Sequence, residues 1–356
     1  DQQNEPMSEL VDKARLEKKL GDYEVGPAAA LTDPMLLAQV QGVRRQLGSR
    51  MVALDRDGVQ RKMPPGEYHL SRKVDGEFNV LVWRGGEALI VNPGGTVRRG
   101  LPLLAEAAEI LESAGVEEAM LAGELWVCDP DGKRERVHDV SRVARRPETP
   151  AQLEQLHFAV FDWIGKAGTF AQVRQSIEEL LDGGARIRPV EGEWVKDTKA
   201  VQSAFEEQVD TNGAEGLVAR SDEAGLFKIK PRHTLEAIVI GYAEGTGERA
   251  GLLHDLLLAI PRVDGALQVL GRVGGGFSDE DRRNLLSDFA DLAAESHYTE
   301  VNSDRVAYQM VKPERVVELS CLDLVSETTR GASIDRMVLN WTGDLYEPVR
   351  RMPCVS

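Results

Sequence analysis

The chain has 356 residues, of which 42% are hydrophobic and 29% charged, and its formal net charge is -16 at pH 7. A chain of this length predicts two domains at roughly 150 residues each, and its composition excludes a disordered protein. The acidic balance argues against non-specific nucleic-acid binding over the whole surface. The sequence lacks a bilayer-length apolar run and a basic-then-apolar start, which predicts a cytoplasmic protein with no membrane contact.

The first 62 residues predict a helical extension, an accessory element ahead of the main domain. Apolar residues recur at nearly helical spacing over residues 8–20 and again over residues 35–47, so we expect a helix in each segment. Between residues 44 and 73 basic side chains outnumber acidic ones, in contrast to the chain as a whole.

Residues 69–97 change to a period of two, with turn signals at Gly85-Gly86 and at residues 92–95, which predicts antiparallel strands. The elements predicted next are, in order, helix 101–114, strands 119–127 and 157–164, helices 169–181 and 200–209, and strands 216–220 and 225–230. A β-rich segment with closely spaced glycines begins after Pro231, so we expect a domain boundary at residues 231–234.

Five motifs lie on these strands or at their ends: KVDGEF (73–78), LAGELWV (121–127), HFAVFDW (157–163), AEGLVAR (214–220) and FKIKPR (227–232). A single motif of this length can occur by chance. All five, in this order, resemble the nucleotidyltransferase motifs of ATP-dependent DNA ligases. Beyond the boundary, residues 237–260 and the stretch GRVGGGFSDED (271–281) resemble the OB-fold domain of the same enzymes. The resemblance covers about residues 65–350.

The resemblance implies an α+β fold. Residues 63–232 would form a nucleotidyltransferase (adenylation) domain of antiparallel sheets flanked by helices, and residues 233–356 a C-terminal OB-fold β-barrel domain.

The same resemblance implies that Lys73 attacks the α-phosphate of ATP and carries AMP covalently, which divides a difficult phosphoryl transfer into easier steps. Attack requires the neutral amine, and nearby positive charge favours that form. The KIK spacing puts Lys228 and Lys230 on one face of a strand, where both ammonium groups can reach phosphate oxygens.

The remaining motif residues have implied roles in holding the nucleotide. Glu124 and Glu215 would offer carboxylate oxygens to Mg²⁺ (or Mn²⁺) and to the ribose hydroxyls. Phe161 would stack on the adenine ring. Asp75 and Gly76 would shape the turn beside the nucleotide. In the last motif, YEPVRRMP, Arg350 and Arg351 are the candidates for orienting the pyrophosphate leaving group.

The chain departs from the family pattern in two places. The first motif usually ends in arginine, whereas this chain has Phe78, so a contact to the ribose or to the nicked strand must be lost or come from elsewhere. A Ser-Arg-Asn-Gly turn is often found shortly afterwards, whereas this chain has Asn-Pro-Gly-Gly at residues 92–95. We expect Arg98 and Arg99, just beyond that turn, to substitute.

The implied activity is an ATP-dependent ligase that seals 3′-OH/5′-phosphate nicks in duplex DNA, in DNA repair. We expect a monomer that other repair proteins assist. The alternatives are an ATP-dependent RNA ligase, which the loss of arginine at Phe78 favours slightly, a capping guanylyltransferase, and an inactive nucleic-acid-binding relative. The ligase-like OB segment favours DNA, and the presence of every main catalytic residue type argues against an inactive protein.

Overall fold

The computed structural model describes residues 10–129, 131, 136–321, 324–326 and 333–355. The chain divides into two compact units, Asp1–Pro231 and Arg232–Ser356. Within the ranges described, no helix combines the length and the apolarity needed to cross a membrane.

The helices of the first unit are α1 Leu36–Arg50, α2 Arg56–Lys62, α3 Pro102–Ser113, α4 Val137–Arg145, α5 Pro150–Glu154, α6 Phe170–Leu180 and α7 Thr198–Phe205, and a π-helical turn, Glu206–Thr211, continues α7. Its strands are β1 Glu17–Leu20, β2 Tyr23–Pro27, β3 Met51–Leu54, β4 Tyr68–Arg72, β5 Glu77–Arg84, β6 Glu87–Val91, β7 Thr96–Arg99, β8 Glu118–Val127, β9 Leu156–Trp163, β10 Ile187–Pro189, β11 Gly192–Val195, β12 Leu217–Ser221 and β13 Gly225–Ile229.

The larger sheet of the first unit has the strand order β1-β2-β7-β6-β5-β8-β9-β10. Helices pack on both faces of this sheet, so its central strands carry apolar side chains on both faces. Leu81 and Trp83 point into a core shared with α3, α4 and α6. Val80 and Val82 belong to a second core that Leu36 and Val40 of α1 complete on the opposite face.

The smaller sheet has the order β11-β4-β12-β13-β3 and packs against α2 and α7 through Val59, Val201 and Phe205. Strand β4 belongs to this sheet and β5 to the larger one. The four residues 73–76 therefore carry the chain from one sheet to the other, and the first motif begins at this crossing.

Of the two helices expected within residues 1–62, the one over residues 35–47 is found as α1 Leu36–Arg50, whereas the one over residues 8–20 is not found in its described part. Where residues 8–20 were expected to be helical, the structure has a short 3-10 turn at Lys13–Arg15 followed by β1. Gly21, with φ +59°, turns the chain into β2, which pairs with β7, and β3 pairs in parallel with β13. The segment contributes strands to both sheets because pairing with sheet edges outweighs the weak helical periodicity.

Arg98 and Arg99, which were expected to substitute for the missing Ser-Arg-Asn-Gly turn, both have guanidinium groups that are paired within the larger sheet. The buried Arg98 contacts Glu77 at 2.5 Å, and Asn79 and Asn92 donate to the same carboxylate. Burial acts to raise the pKa of Glu77, but the charge and hydrogen bonds of Arg98 outweigh it and lower that pKa. Arg99 contacts Glu24 and Glu87, each at 3.2 Å.

The second unit contains β14 His233–Glu244, β15 Leu253–Pro261, β16 Leu267–Val273, α8 Asp279–Ala290, β17 Glu295–Ser296, β18 Gln309–Cys321, β19 Asp335–Trp341 and β20 Leu345–Pro353. Its sheet has the order β17-β20-β19-β16-β15-β14-β18. The Tyr346 hydroxyl of β20 donates to the Val311 carbonyl of β18 at 2.7 Å. These two strands lie near opposite ends of the strand order. The sheet is therefore strongly curled, as in a partly open barrel.

We predict that Arg98→Met destabilises the protein by about 3–5 kcal/mol, because the substitution leaves the Glu77 carboxylate buried without its partner. Urea unfolding followed by intrinsic fluorescence measures the change. The matched control is Arg15→Met, whose partner Asp12 is half exposed, and it should cost less than about 1 kcal/mol. Equal, small losses for both variants would contradict this view of the buried pair.

Candidate active site

The side chains of Lys73, Glu215 and Lys230 meet at the crossing between the two sheets of the first unit. The Lys73 Nζ donates to both carboxylate oxygens of Glu215 at 2.8 Å. Lys230 Nζ lies 2.9 Å from Glu215 Oε1. The three side chains are 27%, 14% and 8% exposed in the order Lys73, Glu215, Lys230. One largely buried carboxylate thus holds two ammonium groups.

Close backbone approaches bring these side chains together. The Lys73 backbone N–H donates to the Gly216 carbonyl at 3.0 Å, which ties the crossing to the start of β12. A Cβ at Gly216 would lie 2.5 Å from the Ile229 carbonyl oxygen, and a Cβ at Gly76 would collide with the Leu125 carbonyl. Only glycine allows the chain to pass so near the neighbouring strands at these two positions.

Glu124 of β8 lies opposite Phe78 of β5 in the antiparallel ladder, so both side chains project from the same face of the sheet. Burial raises the pKa of the Glu124 carboxyl to about 7. The positive charges of Lys73 and Arg44 act in the opposite direction, and the negative charge of Glu215 adds to the increase. A cation bound by both carboxylates would relieve this repulsion.

Aromatic rings line the same face beside Glu124. The rings of Phe78 and Phe161 have centroids 6.1 Å apart, and Phe161 is half-buried. The Arg44 guanidinium of α1 lies over the Phe78 ring, 5.4 Å from its centroid. The motifs did not indicate Arg44. Its only signal in the sequence is its place on an amphipathic helix within a basic segment, which does not distinguish it from Arg45.

The other expected site residues have the following places. Asp75 is half-buried within the crossing, and Lys228 is half-buried on β13, where it pairs in register with Val218. Arg350 and Arg351 are exposed on β20 of the second unit, where Arg351 Nη1 donates to the Asp335 carbonyl at 3.3 Å. Within the described ranges, no group of three or more His, Cys, Asp or Glu side chains is arranged to hold a metal ion.

We predict that Glu124→Gln becomes progressively more stabilising, relative to the unchanged chain, as pH rises from about 4.5 to about 7. The raised pKa means that the folded protein binds a proton in this range that the unfolded chain has released, so the stability of the unchanged chain falls as pH rises. The free energy of unfolding of Glu124→Gln should exceed that of the unchanged chain by on the order of 2–3 kcal/mol above pH 7.

Thermal melting across this pH range measures the effect. Glu118→Gln is the matched control, since Glu118 lies on the same strand and is largely exposed, and it should show no such trend. If the difference in melting temperature between Glu124→Gln and the unchanged chain stays constant with pH, the raised pKa of Glu124 is contradicted.

Comparisons with known proteins place this geometry in context. Residues 249–338 match the family described as the ATP dependent DNA ligase C terminal region. The chain is 28% identical over 324 residues to a probable DNA ligase of Beutenbergia cavernae, covering 86% of this chain and 60% of that protein. It is 30% identical over 287 residues to a probable DNA ligase of Mycolicibacterium vanbaalenii, covering 73% and 52%. The chain thus spans little more than half the length of these relatives.

A solved structure described as Pmar-Lig_Pre is similar in fold, with a TM-score of 0.50, 17% sequence identity, and coverage of 79% of this chain and 64% of that chain. At this identity the likeness concerns the fold alone. The two sequence matches cover 86% and 73% of this chain, so each extends into both units. The chain is accordingly similar in sequence to DNA ligases, in agreement with the family that its motifs resemble.

Proposed function

We propose that the protein is an ATP-dependent polynucleotide ligase that seals nicks between a 3′-hydroxyl and a 5′-phosphate in duplex DNA, in DNA repair. The observation that carries this proposal is the contact of Lys73 with Glu215 and, through it, with Lys230. A lysine at a rigid crossing, held by one carboxylate and next to a second ammonium group, suits nucleophilic attack on a phosphate.

In the first step, the Lys73 amine attacks the α-phosphorus of ATP, a P–N bond forms, and pyrophosphate leaves. The amine must lose its proton before it attacks. The Lys73 side chain is 27% exposed, so the proton can pass to water, and the positive charge of Lys230 favours its loss. Lys230 then remains beside the α-phosphate as a fixed positive charge that neutralises the charge developing on its oxygens. Phe161 would stack on the base, and Lys228 lies on the strand that leads to Lys230.

Glu124 and Glu215 would hold Mg²⁺ or Mn²⁺. Two carboxylates with substrate phosphates and water make the kind of sparse site that Mg²⁺ prefers, and the mutual repulsion of these carboxylates fits a cation between them. When bound, the metal would neutralise phosphate charge during the displacement. Arg350 and Arg351 remain the candidates in the second unit for orienting pyrophosphate.

In the second step AMP passes from Lys73 to the 5′-phosphate at a nick, and in the third the 3′-hydroxyl displaces AMP and joins the strands. Both are in-line displacements that depend on positioning and charge neutralisation. The similarity of the second unit to the C-terminal region of DNA ligases supports DNA as the substrate rather than RNA. The acidic net charge predicts modest, salt-sensitive affinity for the duplex, which is consistent with assistance from other repair proteins.

The test is incubation of the purified protein with Mg²⁺ and ATP or GTP labelled at the α-phosphate, followed by a denaturing gel. We predict covalent label from ATP, none from GTP, and none in Lys73→Ala. Lys196→Ala, which removes an exposed lysine outside the site, is the matched control and should label normally. Preincubation with pyrophosphate strips AMP from protein that was purified already adenylated.

The labelled protein is then given nicked duplexes in which the strand with the 5′-phosphate is DNA or RNA. Faster sealing of the DNA nick supports the proposal, whereas faster sealing of the RNA nick would identify an RNA ligase. Label from GTP would point to a capping enzyme. Absence of label from either nucleotide, after pyrophosphate treatment, would contradict the proposed chemistry.

A further inference from the structure

The Arg44 guanidinium is positioned beside the candidate site by an aromatic ring rather than by an ion pair. Arg44 is an exposed residue of α1, and its guanidinium lies over the Phe78 ring. Among the described residues, no carboxylate lies within ion-pair distance of Arg44. A guanidinium that rests with its face on a ring keeps the N–H donors of its edge available for another group.

The position of Arg44 is fixed by the packing of its helix. Leu36 and Val40 of α1 are fully buried against the sheet face that carries Phe78, and Leu47 packs partly buried against the same core. The Gln41 side-chain amide donates to the Pro93 carbonyl at 3.0 Å, which fixes the rotation of the helix about its axis. Arg44 lies one turn after Val40, so its side chain reaches the edge of this packed surface.

The neighbours of Arg44 belong to the site already described. Phe78 is paired in the ladder with Glu124, and the Phe78 ring lies 6.1 Å from the Phe161 ring, centroid to centroid. The crossing residue Lys73 begins the motif that ends at Phe78. Arg44 therefore lies over the sheet face that carries Phe78 and Glu124, although α1 lies outside every motif.

We propose that Arg44 is a phosphate-binding residue of this site, seated on Phe78 and contributing the guanidinium that the first motif of this chain lacks at position 78. This inference rests on the proposed function. A guanidinium can donate two parallel hydrogen bonds to phosphate oxygens, which both binds and orients the group. The phosphate belongs either to ATP or to the 5′ end of the acceptor strand, and the two sources are separated by the step at which the residue acts.

The experiment compares the unchanged chain with Arg44→Ala, Arg44→Lys and Arg45→Ala. Arg45 is the next residue of the same helix, is exposed, and has no aromatic partner among the described contacts, so Arg45→Ala removes the same charge without touching the seated guanidinium. Melting temperatures establish that all four proteins are folded. Two single-turnover rates are then measured: formation of covalent AMP against ATP concentration, and transfer of AMP from loaded protein to a 5′-phosphorylated nick.

We expect Arg44→Ala to slow one of these steps about 10- to 100-fold, the loss that follows removal of a charge-assisted hydrogen bond. A defect in AMP loading, seen as a higher KM for ATP, assigns the guanidinium to a phosphate of ATP. A defect confined to transfer assigns it to the acceptor 5′-phosphate. Arg44→Lys should restore part of the lost rate because it retains the charge without the planar fork, and Arg45→Ala should match the unchanged chain.

Two results would overturn the inference, and they differ in what else they overturn. If the unchanged chain loads and transfers AMP and Arg44→Ala does both at the rates of Arg45→Ala, Arg44 binds no phosphate and the proposed function stands. If the unchanged chain forms no covalent AMP after pyrophosphate treatment, the proposed function fails, and this inference fails with it.

Discussion

The Glu215 carboxylate, shared between Lys73 and Lys230, is the interaction on which the geometry of the site depends. Its side chain and that of Lys230 are largely buried, so each charge needs a partner. Without the carboxylate, two ammonium groups would repel each other in a poorly solvated place. The same contact joins three separate parts of the chain: the crossing after β4, the segment before β12, and the residue that follows β13.

The backbone around this contact is correspondingly tight. Residues 73–76 carry the chain from the smaller sheet to the larger one, and Gly76 and Gly216 allow the neighbouring strands to approach without side chains between them. Behind the crossing, the buried pair of Arg98 and Glu77 fixes the start of β5. Lys73 therefore lies on a segment anchored at both ends, which would preorganise it for the proposed attack.

The sequence predicted those parts of the fold where local pattern and packing agree. The period-two strands around the motifs and the amphipathic helix that became α1 Leu36–Arg50 were predicted correctly because one periodicity dominates each segment. Residues 8–20 were predicted wrongly, since their apolar spacing fits a weak helix but a glycine hairpin and pairing with β7 determine the structure. Arg98 and Arg99 show a second limit, because only the fold reveals which arginines are already paired.

The candidate site was predicted to a similar extent. The motifs indicated Lys73, Glu215 and Lys230 as site residues, but they assigned Glu215 to the metal and the ribose, so its contacts with both lysines became visible only in the structure. The raised pKa of Glu124 depends on burial, which the motifs do not reveal. The contact of the Arg44 guanidinium with the Phe78 ring depends on a helix outside the motifs. Neither feature could be predicted from the sequence.

The most direct test of the central claim, that Lys73 is the nucleophile, is peptide mapping by mass spectrometry after incubation with ATP and Mg²⁺. We predict an acid-labile adenylyl group on the peptide that contains Lys73, and none on the peptides that contain Lys228 or Lys230. An adenylyl group on another residue, with the Lys73 peptide unmodified, would contradict it.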